Sequence, residues 1–302
     1  IEEEKTFLSG EAAFKLSDTY GFPIDLTIEI CEEKNISVDR DRFDELAKEQ
    51  RARAKADHAA KAGSSWADNS IQIEAPKTVF TGYTAFETAD AEVLAIFKDG
   101  EEIEIAAEGE DVVIVLDVTP FYAESGGQVG DTGVLISGEN IASVADTIKS
   151  EGHYLHIATV EQGSISKGDK LLAQVQKDRR LAIMRNHTTA HLLQCALRTV
   201  LGEHVHQAGQ LVNDAHCRFD FNHFNAMTEE EIARVEQIVN DEIMKAYPVT
   251  MEEMPIDEAR KLGAMALFGE KYGDTVRVVT ADKSIEFCGG THVSNTSQIG
   301  LF

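Results

Sequence analysis

The 302-residue chain carries 53 Asp and Glu against 28 Lys and Arg, a net charge of −25, with 43% hydrophobic and 27% charged residues. These are proportions of a globular protein with room for two or three cores, and the acidic balance excludes a broad non-specific coat on nucleic acid, whose phosphates would be repelled. Neither a signal peptide nor an apolar run of about 18 residues appears in this stretch, so no export and no membrane span are expected, and cysteines 31, 195, 217 and 288 are too scattered for a disulfide framework. A cytoplasmic protein with no membrane partner is expected. The chain starts at Ile1-Glu-Glu-Glu and stops at Gly300-Leu-Phe302, which reads as a fragment of something longer.

The pattern predicts an α+β multidomain chain in three parts: a helical segment over 1–68, a β-barrel subdomain over 69–176 and an α+β core over 177–302. In the first part, residues 11–20 read as a helix, 21–23 as a turn and the stretch to about Lys34 as a second helix. Asp39 or Asp41 then caps a third helix that runs to a stop near Gly63. Its Arg51, Arg53, Lys55 and Lys61 read either as phosphate contacts or as a solvated face. Residues 63–69 read as a linker.

From about Ile71 the pattern changes to short strands such as 92–97, 111–118 and 153–158, with turns at Asp99-Gly100, Ser137-Gly138 and Lys167-Gly168. Within this region, 120–133 is too glycine-rich for a strand interior, and it matches neither the P-loop nor the dinucleotide fingerprint. It is either a loop reaching across to another domain's site or a cluster of β-turns.

The third part opens with a helix whose apolar residues Leu181, Met184, Leu192, Leu193, Ala196 and Leu197 keep a helical period. His187 and His191 lie four apart in it, so both imidazoles share one face. Residues 203–209 read as a turn and 217–221 as a strand. Thr228 to Glu231 is a capping box opening a helix with Ile232, Val235, Ile238, Val239 and Ile243 on one side. Strand 249–254, a helix over 256–262, the loop 263–274 and strand 275–279 follow.

The chain then reads Glu286-Phe-Cys-Gly-Gly-Thr-His292. Cys288 and His292 are again four apart, but Gly289 and Gly290 make a tight turn of this stretch. His187, His191, Cys288 and His292 together form a tetrahedral donor set of the kind zinc takes. The glycines would leave backbone N–H groups bare beside the thiolate, able to hold an anion or a developing negative charge. Thr188 follows His187 where the zinc peptidases have Glu, which excludes that class. Cys195, one turn beyond His191, reads as a competing ligand or as a buried small residue. His204, His206, His216 and His223 have no spacing partner.

With these pieces in place, the chain resembles the alanyl-tRNA synthetases. The stretches that carry the likeness are 13–23, 121–133, 185–193, 263–279 and 288–292, in the order the family has them. The resemblance implies that the helical segment ends a tRNA-recognition region and that the remainder is an editing domain, a barrel followed by a zinc-bearing α+β core. It further implies hydrolysis of Ser-tRNA(Ala) and Gly-tRNA(Ala), one Zn²⁺ per chain, tRNA(Ala) and especially its aminoacylated 3′ end as partner, and no DNA partner. ATP and Mg²⁺ would belong to a ligase core lying upstream of Ile1.

Carried onto this sequence, the family pattern points to Gln207, Cys288, Thr188, Gly289 and Gly290 as the catalytic set, with Thr188, Thr189, Gln207 and Cys288 able to read a serine hydroxyl. Cys288 is the ligand expected to be weak or displaced. Ala190 departs from the pattern, which has Thr before the second histidine. Charge alone offers Arg179, Arg180, Arg185 and Lys271 to the tRNA. The competing readings are a zinc-stabilised docking module without hydrolysis and a free-standing editing protein.

Overall fold

The computed structural model describes residues 7–20, 22, 24–34, 36–61, 73–265 and 273–302, and the chain divides into two compact units, residues 1–72 and 73–302. The first holds α1 (Gly10–Tyr20), α2 (Ile24–Glu33) and α3 (Arg40–Lys61). Of the two aspartates read as caps, Asp39 is used: its Oδ1 accepts the N–H of Arg42 at 3.1 Å, satisfying a first-turn donor. A Cβ on Gly10 would lie 2.6 Å from that of Arg42, so the glycine lets α1 approach α3. The side chains of residues 51–61, with the four basic positions read from the sequence, and the linker at 63–69 lie outside what the structure describes.

In the second unit, six antiparallel strands close on themselves as the sequence predicts. They are β1 (Glu87–Lys98), β2 (Asp111–Leu116), β3 (Gly133–Ser137), β4 (Asn140–Ser150), β5 (His153–Gln162) and β6 (Lys170–Val175). Their order is β6-β3-β4-β5-β2-β1, and β1 pairs back onto β6. Val93, Ile96, Ile114, Leu116, Leu135 and Leu171 fill the interior with Phe121. Tight turns set the register, as at Glu151-Gly152, where φ of 50° and 93° joins β4 to β5.

One barrel residue gives acid a handle on stability. His156 on β5 is fully buried, its Nδ1 2.8 Å from the carbonyl of Ile114 and its Nε2 2.7 Å from Thr119 Oγ1. Burial pushes its pKa down to about 4. Below the ordinary imidazole value the unfolded chain takes up a proton that the folded one refuses, so stability falls as pH drops from about 6.5 to about 4 and then levels off for this group. The loss expected over that window is roughly 3 kcal/mol. Urea unfolding at several pH values tests this: His156→Gln should flatten the profile in that window, and a profile parallel to wild type would contradict the assignment.

Beyond the barrel come α4 (Lys177–Leu201), the hairpin of β7 (Gln207–Val212) and β8 (Cys217–Phe221), α5 (Glu229–Met244), β9 (Val249–Pro255), α6 (Ile256–Lys261), β10 (Thr275–Ala281) and β11 (Ser284–Phe287). Strands β9, β10 and β11 form one antiparallel sheet. Leu192, Ala196 and Leu197 of α4 pack with Val235, Val239 and Ile243 of α5. The capping box is formed: Glu231 N–H donates to Thr228 Oγ1 at 3.2 Å and Thr228 N–H to Glu231 Oε2 at 2.8 Å.

Two local readings are corrected. Ile232, assigned to the apolar face of α5, is 52% exposed, because the buried stripe is the i, i+4, i+8 series 235, 239 and 243. The segment 203–209 is not all turn, since β7 begins at Gln207 and pairs it with Phe221.

The glycine-rich segment is tied down by a buried ion pair. Arg180, in the first turn of α4 and 1% exposed, donates to Asp131 Oδ1 at 2.9 Å, to the carbonyl of Gly82 at 2.7 Å and to that of Pro120 at 2.9 Å, and it also pairs with Asp131 Oδ2. The same carboxylate accepts the N–H of Tyr122 at 2.7 Å. Arg180 is therefore spent inside the fold and is no surface contact for tRNA, correcting the reading from charge alone.

Candidate metal centre

α4 presents His187 and His191 one turn apart, and the loop leaving β11 brings Cys288 and His292 against them. One ligand atom from each of the four lies within 4.8 Å of all the others. Cys288 Sγ sits 3.4 Å from His187 Nε2 and 3.3 Å from His292 Nε2. The set assembled from spacing alone is thus a real cluster; its three imidazoles are buried and its thiol half-buried.

What makes it a plausible cradle for a cation is the other side of each ring. His187 Nδ1–H donates to Gln128 Oε1 at 2.7 Å. His191 Nδ1 faces Glu286 Oε2 at 2.8 Å. His292 Nδ1 is 3.2 Å from the hydroxyl of Thr188. The rings of His187 and His292 are hydrogen-bonded through Nδ1 and turn Nε2 toward Cys288, as outer hydrogen-bond partners do around metal-bound histidines, while His191 sets Nδ1 against a carboxylate. Both ring nitrogens of His191 are buried with no hydrogen-bond partner, Nδ1 meeting only the charge of Glu286, a costly state unless something of opposite polarity meets the ring.

The electrostatics favour the ligating form of Cys288 and His292 and the protonated form of His191, a proton that a metal would have to displace. Burial alone would raise the Cys288 thiol, but the imidazoles of His187 and His292 carry it well below its ordinary value, toward the thiolate that binds metals. Burial disfavours the cation on His292 and holds it down to about 3, leaving a neutral donor. For His191 the burial penalty is outweighed by the carboxylate of Glu286 and by Cys288, which lift it to about 10.

Gln128 and Glu286 were not singled out as site residues from the sequence. Gln128 comes from the glycine-rich segment of the barrel side, is fully buried, and spends its amide on this site: Oε1 also accepts Thr291 N–H at 2.9 Å, and Nε2 donates to Thr291 Oγ1 at 3.0 Å. Of the two readings of 120–133, the loop reaching across to a neighbouring site is the one observed. A glutamine among glycines carries no periodicity, so nothing in the sequence marked it. Glu286 sat in the quoted stretch, and its alternation with Cys288 along the strand was the available signal.

The structure gives Thr188 and Gly290 tasks other than those read from the sequence. The Thr188 hydroxyl is fully buried, donates to the carbonyl of Met184 at 2.9 Å and accepts Val293 N–H at 3.2 Å besides facing His292. It backs the His292 ring and has its donor and acceptor positions taken within the protein. The N–H of Gly290 is not bare but points to Cys288 Sγ at 3.4 Å. A Cβ there would fall 2.0 Å from His187 Cε1, so Gly290 permits the close approach of the two halves. Gly289, by contrast, has open space where a Cβ would go. Thr189 donates to the carbonyl of Arg185 at 2.8 Å.

Gln207 does reach the site: with Ala190 and Phe219 it lines a small cleft against His187, His191 and Cys288. Cys195 lies elsewhere, in a cleft with Thr199 and Ile238 between α4 and α5. His204 and His223, without a partner in sequence, meet at 3.0 Å.

Comparison with known proteins bears on this arrangement directly. The family model for class II (A) tRNA synthetases matches residues 1–179, more than half of the chain. The chain belongs to that family. The model for the second additional domain of threonyl and alanyl tRNA synthetases matches residues 276–302, the segment that supplies Cys288 and His292. The alanine--tRNA ligase of Acetivibrio thermocellus is 52% identical over 97% of this chain, that of Burkholderia multivorans 50% over 98%, and that of a Thermoanaerobacter strain 49% over 99%. In each case the chain spans about a third of the relative's length, 33 to 34%. The likeness read from the motifs therefore holds across nearly the whole sequence.

One expectation is corrected by the match. The ATP-dependent ligase core was expected upstream of Ile1 and missing here, yet the class II family model begins at residue 1 and runs through the helical unit and the barrel, so this chain contains class II synthetase domain. Of the basic residues offered to tRNA, Arg179 is half-buried, donating to the carbonyl of Gly130 at 2.9 Å and facing Asp214 at 3.5 Å. Arg185 is half-buried and Lys271 lies outside the described residues. Among the described residues, no helix is long and apolar enough to cross a membrane.

Proposed function

We propose that this chain is the editing portion of an alanine--tRNA ligase, hydrolysing the ester of Ser-tRNA(Ala) and Gly-tRNA(Ala) at the His187, His191, Cys288 and His292 cluster with one Zn²⁺ bound. The observation that carries the reading is the convergence of one donor atom each from three imidazoles and Cys288 within 4.8 Å, with a polar group behind every ring, beside a cleft that Gln207 lines. Ligation of alanine with ATP and Mg²⁺ is the activity of the whole protein to which such a chain belongs.

The need for such a site is energetic. One methyl in a pocket is worth only about 1–3 kcal/mol, too little for high fidelity, and serine is larger than alanine while glycine is smaller. Bound zinc would supply Lewis acidity to the ester carbonyl or to water. The protein's own part is positioning: Gln128, Glu286 and Thr188 hold the rings, Gln207 faces the bound ester from the cleft, and Cys288, the most accessible ligand, is the one able to yield a coordination position. Arg185 is the remaining described candidate for the acceptor end of the tRNA.

A docking module without hydrolysis would keep the cluster but have no use for Gln207. Gln207→Ala is expected to retain metal and tRNA binding while turnover of Ser-tRNA(Ala) falls by about 10²-fold or more, the usual cost of losing one polar group at a reacting centre. Equal turnover in the variant and wild type would sink the role given to Gln207.

A further inference from the structure

The loop that carries two of the four candidate ligands is held by its carbonyls. Arg277 of β10 donates Nη1 to the carbonyl of Cys288 at 2.9 Å and to that of Gly290 at 2.8 Å. The carbonyl between them, of Gly289, accepts the hydroxyl of Tyr83 at 2.8 Å from a turn 206 residues away in sequence. The Arg277 guanidinium lies 3.9 Å over the Tyr83 ring, and Phe80 supports that ring edge-on at 4.8 Å. Three successive carbonyls thus end on one stacked pair.

Peptide planarity turns this into a statement about the sulfur. The described residues contain no cis peptide, so the carbonyl of Gly289 and the N–H of Gly290, which share one plane, point in opposite directions. Drawing the carbonyl outward to Tyr83 aims the N–H inward at Cys288 Sγ, where it is found at 3.4 Å. A Gly-Gly peptide turns over with little steric penalty, so the loop's own sequence does not fix that plane. An N–H···S hydrogen bond withdraws charge from a thiolate and tempers its donation to a metal.

We propose that Tyr83 and Arg277 are positioning residues that lock the Gly289–Gly290 peptide so that its N–H is hydrogen-bonded to the Cys288 thiolate, setting the sulfur's strength as a ligand. The inference rests on the metal-centre reading and adds to it a control element reaching in from the barrel side.

The test uses the full chain loaded with Co²⁺, whose thiolate-to-metal charge-transfer band reports electron density on the sulfur. Tyr83→Phe, which keeps the ring at a 41% exposed position, should shift the band to longer wavelength with the metal retained. Arg277→Met should shift it further in the same direction, while Arg277→Lys, able to reach one carbonyl, should recover part of the shift. An unmoved band in both Tyr83→Phe and Arg277→Met, with wild type showing a normal thiolate band, overturns the lock and leaves the metal centre standing. Absence of any thiolate band in wild type overturns both.

Discussion

Cys288→Ser will cut metal affinity by more than about a hundredfold, beyond the 10- to 100-fold that loss of an outer hydrogen-bond partner costs. The sulfur is the only thiol in the cluster and lies within 3.4 Å of the Nε2 atoms of His187 and His292, so serine replaces the one donor that can bind as an anion with a weakly coordinating neutral hydroxyl. Competition with a chromogenic chelator measures the effect. The wild-type affinity should also rise with pH: His191 is protonated in the metal-free site up to about 10, so the metal must displace that proton, and binding tightens roughly tenfold per pH unit for each proton released. A variant that binds as tightly as wild type would show that Cys288 is not a ligand.

The second large effect concerns stability. Arg180→Met leaves the Asp131 carboxylate buried without its guanidinium, facing only the N–H of Tyr122, and breaking one side of such a pair costs about 3–5 kcal/mol. The double variant Arg180→Met with Asp131→Leu should recover a good part, because it removes the stranded charge as well. Since the pair anchors the segment that delivers Gln128, metal affinity should fall with stability in the single variant. Urea unfolding gives the numbers. A single variant within about 1 kcal/mol of wild type would mean that water reaches Asp131 and that the segment is held by other contacts.

The barrel, the long helix α4 and the capped helix α5 were legible because each announces itself locally: alternation bounded by glycine turns, a 3.6-residue period, and Thr228 three residues ahead of Glu231. The four clustered side chains were legible because both pairs are spaced by four and glycines separate one of them. What the sequence withheld was everything decided by the far side of a contact. Gln128, Tyr83 and Arg277 act across 163, 206 and about a dozen residues, with no spacing that marks them. Arg180 looked like a phosphate contact because charge says nothing of burial, and Thr188 looked like a hydroxyl reader until its three partners were seen.

The decisive measurement is deacylation of Ser-, Gly- and Ala-charged tRNA(Ala) by this chain, before and after chelation and again after Zn²⁺ is restored. Cleavage of the serine and glycine esters with the alanine ester spared, lost on chelation and regained with zinc, is the expected result. Zinc bound at one per chain with all three esters left intact would contradict an editing site in this chain.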